Sequence, residues 1–308
     1  MLQAAMPGAT RWLYPYDKTV FPRGISAPVL QWDKPAPEAI YLHLRSALFE
    51  YKGCFAGTAA ANFAIPQTAW DTAGAQSNGG AADPLQIELT LLSSGRALRL
   101  PTITAIFALA TLKAAVYYNT YNSVIANAKG IISGVIMRTV PTRSEPEGFI
   151  SAPVQNGDCV GCHTVSANGG RMLVASHNDS AMGIAGEFGS TEGPGYLFDL
   201  QAGGTGTQPP PLKNDLKRTG FAALYPDGSR YLGQGAITDA PTPGGTLFPV
   251  VTNVWGSFGP ETSKLYDANA GTEIPNSGII DYAYMPTFSV DGTMLAFNPI
   301  DQSGNTGH

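Results

Sequence analysis

The chain has 308 residues, 44% hydrophobic and only 13% charged, with a net charge of −5 and a pI near 5.3. The hydrophobic share excludes a disordered protein, and an acidic balance without any Lys/Arg cluster excludes a nucleic-acid-binding surface. With 36 glycines, 24 prolines and so few charges, the composition points to short strands joined by turns, in about two domains.

In chain order, Met1-Leu2-Gln3-Ala4-Ala5-Met6-Pro7 lacks the basic and apolar regions of an export signal. Residues 10–150 read as a β-sandwich. Ile40, Leu42 and Leu44 alternate with Tyr41, His43 and Arg45, the pattern of a half-buried strand, which puts His43 outward as an exposed surface histidine. Cys54, without a partner cysteine, is expected to be a small buried hydrophobe. Leu85, Ile87, Leu89 and Leu91 alternate with Gln86, Glu88 and Thr90 in the same way. The apolar run from Ile103 to Leu112 ends at Lys113 and is too short for a bilayer, so it predicts a buried strand and no transmembrane segment in this chain. Lys113 to Tyr121 is strand-like and rich in tyrosine. This half resembles an immunoglobulin or fibronectin type III-like domain. The resemblance implies a module that holds, spaces or binds, with nothing catalytic in it.

Pro141, Pro146 and Pro153, with Gly148 and Gly157, read as a linker, in which Glu145 and Glu147 are expected to be solvated charges. The linker leads into Cys159-Val160-Gly161-Cys162-His163, and C-x-x-C-H is the attachment signature of haem c. Its two thiols form thioethers to the two vinyl groups of one porphyrin, and the following histidine supplies an axial nitrogen to the iron. Three other readings use the same atoms. A redox dithiol expects a βαβ setting that Asn156-Gly157-Asp158 and Thr164 do not suggest. Zinc needs a second ligand pair, and no other CxxC or HxxxH exists in the chain. A disulfide spanning two intervening residues is geometrically strained.

Residues 151–308 carry a repeat after the motif. Ser166-Ala167-Asn168-Gly169-Gly170-Arg171-Met172-Leu173 aligns with Tyr225-Pro226-Asp227-Gly228-Ser229-Arg230-Tyr231-Leu232 and with Ser289-Val290-Asp291-Gly292-Thr293-Met294-Leu295-Ala296. Asp-Gly between apolar strands signals a tight turn. A second element recurs in the same order: Leu197-Phe198-Asp199-Leu200-Gln201-Ala202-Gly203 matches Leu265-Tyr266-Asp267-Ala268-Asn269-Ala270-Gly271. The matching aspartates, Asp199 and Asp267, are expected to stabilise turns rather than to act as acid or base.

These two elements resemble the blades of TolB-like β-propellers over the last part of the chain. The first copy departs from the pattern, with Asn168-Gly169-Gly170 where Asp-Gly is usual. Propellers close with about 4 to 8 blades and only about three turn motifs are present, so the expectation is an incomplete propeller, a fragment of a longer protein. The generic alternative is a set of β-hairpins. The expected fold is therefore all-β: a sandwich over 10–150, a haem loop at the junction, and propeller repeats over 151–308.

The join of CxxCH to such repeats is similar to a family of secreted bacterial proteins. That resemblance implies haem binding and a periplasmic or extracellular location without fixing a reaction, and the export signal is then expected to lie outside this sequence. His163 would cover one face of the iron, and the sixth position decides the chemistry. Its candidates are His177, Met172 and Met182, of which Met172 and His177 fall on opposite faces if Arg171 to His177 is a strand. A second strong ligand gives a mono-haem cytochrome for one-electron transfer to a redox partner protein. An open position gives a peroxidase-like oxidoreductase, with Arg171 as a helper. A third reading is a surface binding scaffold with structural haem, within a surface or oligomeric assembly.

Overall fold

The computed structural model describes residues 6–7, 10–121, 123, 134–141, 143, 145–151, 159–178, 191–192, 195–202, 208–217, 219, 221–234, 236–238, 250–252, 263–280 and 283–299. The protein is all-β, with one α-helix among the described residues. It divides into two compact units, Met1–Val116 with Thr139–Pro146, and Tyr117–Arg138 with Glu147–His308. The sequence places the boundary near residue 150, whereas the structural division assigns most of residues 117–150 to the second unit.

The first unit contains β1 (Met6–Pro7), β2 (Trp12–Tyr14), β3 (Thr19–Arg23), β4 (Val29–Trp32), β5 (Ala39–Arg45), β6 (Glu50–Ala56) and β7 (Asn62–Ala64). Then follow α1 (Gln67–Gln76), β8 (Leu85–Ser93), β9 (Arg96–Arg99) and β10 (Ile103–Thr111). One seven-stranded sheet joins β1, β9, β8, β10 and β3, with β5 and β6 beside β8, and a smaller sheet has the order β2-β4-β7. The alternation read in β5 and β8 is what pairs them: Ile40 lies opposite Leu91, Leu42 opposite Leu89 and Leu44 opposite Ile87, all at 0% exposure. Burying each such side chain contributes about 1.5–3 kcal/mol, so this pairing anchors the unit.

Helix α1 was not legible in the sequence. Its buried residues Ala69, Trp70, Ala73 and Gly74 form one helical face, but only Trp70 is bulky, so the apolar stripe is faint. Trp70 packs edge-on to Phe21 and tilts against Phe107. Cys54 is exposed, contrary to expectation, because alternation along β6 turns Tyr51, Gly53 and Phe55 toward the sheet's covered side and Cys54 away from it. His43 does face outward, yet its side chain is only 12% exposed. Carboxylates on both neighbouring strands cover it: Glu50 Oε1 lies 2.9 Å from Nε2 and Glu88 Oε2 lies 3.1 Å from Nδ1.

The second unit contains β11 (Val116–Tyr121), β12 (Gly134–Thr139), β13 (Glu147–Ser151), β14 (Cys159–Val165), β15 (Arg171–Asn178), β16 (Thr191–Glu192), β17 (Gly195–Asp199) and β18 (Pro211–Leu216). It continues with β19 (Ala223–Leu224), β20 (Arg230–Gln234), β21 (Ala236–Thr238), β22 (Val250–Thr252), β23 (Ser263–Asp267), β24 (Ala283–Phe288) and β25 (Leu295–Pro299). Strands β11-β12-β13 form one sheet; β14-β15-β17-β18, with β16 on β15, form another; β19-β20-β23 form a third; β21-β22 and β24-β25 are hairpins. The expected linker is thus partly strand. Glu147 is not a solvated charge there: its carboxylate, 16% exposed, accepts from Arg138 Nε at 2.7 Å on the partner strand, and the Arg138 guanidinium lies 4.1 Å over the Phe149 ring.

Both faces of the β15–β17 pair are covered. Met172, Val174, Tyr196 and Phe198 pack into a core with Ile136, Phe149, Ile150 and Val160, while Leu173 and Leu197 pack into another with Leu224, Tyr231 and Tyr266. A strand buried on both faces reads as a continuous apolar run, which is why Met172-Leu173-Val174-Ala175 shows no alternation.

The repeat is geometrical as well as sequential. In all three turns the first residue donates its N–H to the sixth residue's carbonyl: Ser166 to Arg171, Tyr225 to Arg230 and Ser289 to Met294, at 2.9, 2.8 and 3.0 Å. The third residue's side-chain oxygen accepts a backbone N–H two positions on: Asn168 from Gly170, Asp227 from Ser229 and Asp291 from Thr293. Gly169, Gly228 and Gly292 have φ of +69°, +75° and +71°, a left-handed conformation that favours glycine. Asn168 therefore substitutes for aspartate with no change of geometry. Arg171 pairs with Asp199 in register as Arg230 pairs with Asp267, and Leu200 and Ala268 each donate at 2.9 Å to the carbonyl of the residue preceding that arginine. Successive turns also touch: Arg171 Nη1 donates to the Gly228 carbonyl at 3.0 Å, and the Tyr225 hydroxyl donates to the Gly292 carbonyl at 3.4 Å.

Candidate functional site

The Cys159–His163 motif lies on a strand, not in the expected loop. β14 runs antiparallel to β15, with Cys159 opposite His177, Val160 opposite Ser176 and Gly161 opposite Ala175. Val160 is wholly buried in the core and fixes the motif to the sheet. The register then slips, because His163 lies opposite Val174 and leaves Cys162 as the additional residue of a β-bulge. Cys162 has φ of +39°, a conformation that costs a non-glycine residue about 1–3 kcal/mol.

The third repeat has a bulge at the same place. β24 slips register between Tyr284 and Thr287, and Met285 there has φ of +45°. Met285 precedes the turn residue Ser289 by the interval at which Cys162 precedes Ser166. The bulge that sets Cys162 out of the ladder thus belongs to the repeat's first strand in two copies.

Strand β11 overlies the motif. Alternation brings Tyr117, Asn119 and Tyr121 to bear on β14 and the core beneath it. The His163 ring is half-buried, and its Nδ1 forms a short hydrogen bond with Asn119 Oδ1. Asn119 Nδ2 donates to the Tyr121 hydroxyl at 2.9 Å. Burial pushes the His163 pKa below the usual histidine value, with a backbone hydrogen bond to Tyr117 opposing the shift. The imidazole is therefore neutral at pH 7, the form in which histidine binds metals. Gly161 is small because Tyr121 stands over it: a Cβ there would lie 2.9 Å from the Tyr121 hydroxyl and 3.6 Å from Asn119 Nδ2.

Cys162 is half-buried and in no disulfide. Cys159 opens β14 with its backbone opposite that of His177, whose other neighbour in register is Glu192 of β16. Strand pairing thus sets His177 beside Cys159, at the opposite end of the motif from His163, which lies opposite Val174. Met172 is 0% exposed, opposite Val165 and in one core with Phe198, so it fills that core. Met182 lies outside the described residues. Arg171 is engaged elsewhere: its Nη1 donates to Gly228 O at 3.0 Å and to Asn269 Oδ1 at 2.7 Å. Asp199 Oδ1 accepts from the Gln201 N–H at 2.9 Å, and Asp267 Oδ1 accepts from Asn269 and Ala270 at 2.8 and 2.9 Å, the turn role expected of both.

The residues that sequence reading missed are Asn119 and Tyr121. The strand character of Lys113 to Tyr121 was visible, but nothing in it said that this strand covers the motif. Among the described residues no cluster of three or more His, Cys, Asp or Glu is arranged to hold a metal ion by protein ligands alone. A haem supplies four nitrogens of its own and asks the chain for one axial nitrogen and two thiols. The neutral His163 imidazole, hydrogen-bonded through Nδ1, and Cys162, half-buried and in no disulfide, fit that demand.

No family model matches the chain, and no curated protein matches it in sequence. No helix among the described residues is long and apolar enough to cross a membrane.

Proposed function

We propose that this chain is a mono-haem c-type cytochrome that transfers single electrons outside the cytoplasm. In this reading the first unit is an immunoglobulin- or fibronectin-like sandwich and the second carries TolB-like propeller repeats. The observation that carries it is the CxxCH strand with its histidine neutral and oriented by Asn119. The touching turns, with matching hydrogen bonds and glycine conformations, support the propeller part.

Covalently held haem supplies reversible one-electron chemistry at its iron. The chain's own residues do the rest. Cys159 and Cys162 would tether the porphyrin through thioethers, and His163 would give the iron its Nε2 lone pair. Asn119 holds the ring's Nδ1 so that Nε2 is the ligating atom. The bulge sets Cys162 apart from the ladder, so its sulfur needs no backbone rearrangement to react. Val160 anchors the strand beneath. Tyr121, 53% exposed, offers aromatic surface beside the site for a redox partner protein. His177 is the proposed sixth ligand, on its backbone position opposite Cys159.

The test is coexpression of the chain, with an added export signal, and cytochrome c maturation machinery, followed by a pyridine haemochrome spectrum. The expected result is a c-type haemochrome that becomes a single-thioether spectrum in Cys162→Ala. A low-spin spectrum supports electron transfer, and a high-spin one would replace it with oxidoreductase chemistry at an open iron. Absence of covalent haem under these conditions would refute the proposal.

A further inference from the structure

We infer that Asn119 is a positioning residue that selects the Nδ1–H tautomer of His163 and thereby sets the electron donation of its Nε2. The inference rests on the haem reading for its consequence, but the tautomer is a property of the chain alone.

Three observations carry it. Asn119 Oδ1 faces His163 Nδ1, so the amide accepts and the ring donates. Asn119 Nδ2 is turned away and donates to the Tyr121 hydroxyl at 2.9 Å, which gives the amide a use for its donor on the far side. Tyr121 is itself held close, since its hydroxyl occupies the space that any side chain at Gly161 would need. The order Tyr121–Asn119–His163 runs along β11 and down onto β14, and the Tyr117 backbone on the same strand also hydrogen-bonds the His163 ring. A neutral imidazole carries one ring proton. If Asn119 fixes it at Nδ1, the Nε2 lone pair is free for a metal, and a stronger acceptor at Nδ1 makes Nε2 a better donor. The aligned positions in the other repeats are Ala222 and Pro286, which have no imidazole to orient.

The test has two arms. In the chain without haem, nitrogen-15 histidine spectra of the wild type should show His163 protonated at Nδ1 and bare at Nε2. Asn119→Leu should lose that tautomer preference, and Asn119→Gln should restore it in part. A wild-type ring protonated at Nε2, with Nδ1 accepting from a flipped Asn119 amide, would overturn the inference. In the haem-loaded protein, the reduction potential should fall in Asn119→Asp, whose carboxylate is the stronger acceptor, and rise in Asn119→Leu. Equal potentials in all three loaded proteins would also overturn it. Asn119→Asp is nearly isosteric and keeps the test alive if Asn119→Leu does not fold. Failure to attach haem in a wild type that shows the Nδ1–H tautomer would sink the cytochrome proposal and leave the assignment of Asn119 standing.

Discussion

The three repeated glycines offer a graded test of how the turns stack. Gly169, Gly228 and Gly292 share a left-handed φ near +70°, so alanine at each pays the same conformational penalty, about 1–2 kcal/mol. Their surroundings differ. A Cβ on Gly169 meets nothing within 4 Å. A Cβ on Gly228 would stand 2.6 Å from Arg171 Cδ and 3.0 Å from Arg171 Cβ, and one on Gly292 would stand 2.4 Å from the Tyr225 hydroxyl. Relieving the Gly228 clash moves Arg171, whose Nη1 bonds to Gly228 O and Asn269 Oδ1 each contribute roughly 0.5–1.5 kcal/mol. The expected order is about 1–2 kcal/mol for Gly169→Ala and about 2–5 kcal/mol for Gly228→Ala. Gly292→Ala falls between them, because the Tyr225 ring can rotate aside, giving up its long 3.4 Å bond and part of its contacts with Phe288 and the Arg230 guanidinium. Urea unfolding at unchanged slope measures all three. Equal losses for Gly169→Ala and Gly228→Ala would mean that the turns do not touch, and the repeat-stacking argument would fall with them.

Other expectations follow from single contacts. Hydrogen bonds from Ser289 and Thr293 hold the Asp291 carboxyl down at about 2. Because the folded value is depressed, its contribution to stability is present above the usual carboxylate pKa and is lost as pH falls toward about 2; side-chain carbon-13 titration should find Asp291 still charged at about pH 3, and an ordinary value near 4 would contradict the turn geometry. Gly161→Ala should displace the Tyr121 ring, whose hydroxyl would stand 2.9 Å from the new Cβ, and break its bond from Asn119, at a cost of about 1 kcal/mol. A large loss of stability with an unmoved Tyr121 resonance would show that β11 lies elsewhere. Cys54, exposed on β6, should react with a thiol reagent in the native Cys159→Ser/Cys162→Ser protein at the rate of a free thiol. Labelling that requires denaturant would return it to the interior.

What the sequence revealed follows from where burial is one-sided. β5 and β8 alternate because one face is covered and the other is wet, so their pattern fixed both strand and inward face. The turns were legible because Asp-Gly and Asn-Gly state a backbone conformation locally. Helix α1 was invisible because most of its covered face is alanine and glycine, admitted beside Phe107 by their small size. Cys54 misled because unpaired cysteine is usually buried, and only the register of β6 against β5 shows which way it points. At the site, the proposal for Cys159, Cys162 and His163 comes from their spacing, while Asn119 could not be found that way. Its meaning depends on a contact across 44 positions of chain, which no local pattern records.

The bulge bears on why the motif stands where it does. In a regular strand, residues three apart face opposite sides of the sheet, which would separate the two cysteines of a CxxC. One inserted residue shifts the period by one and removes that obstacle. The bulge at Met285 in the third repeat shows that the scaffold makes this shift without any cysteine or histidine, since the aligned residues there are Tyr282, Met285 and Pro286. The first strand of the repeat therefore already has the backbone that a haem-attachment motif on a strand requires. One further thing sets the first copy apart: β11, whose Tyr121 covers Gly161, whereas the glycine itself recurs at the aligned Gly220 of the second repeat. In the proposed reading Cys159, Cys162 and His163 would carry the chemistry, on a backbone that comes from the repeat and beside a strand, β11, that lies outside it.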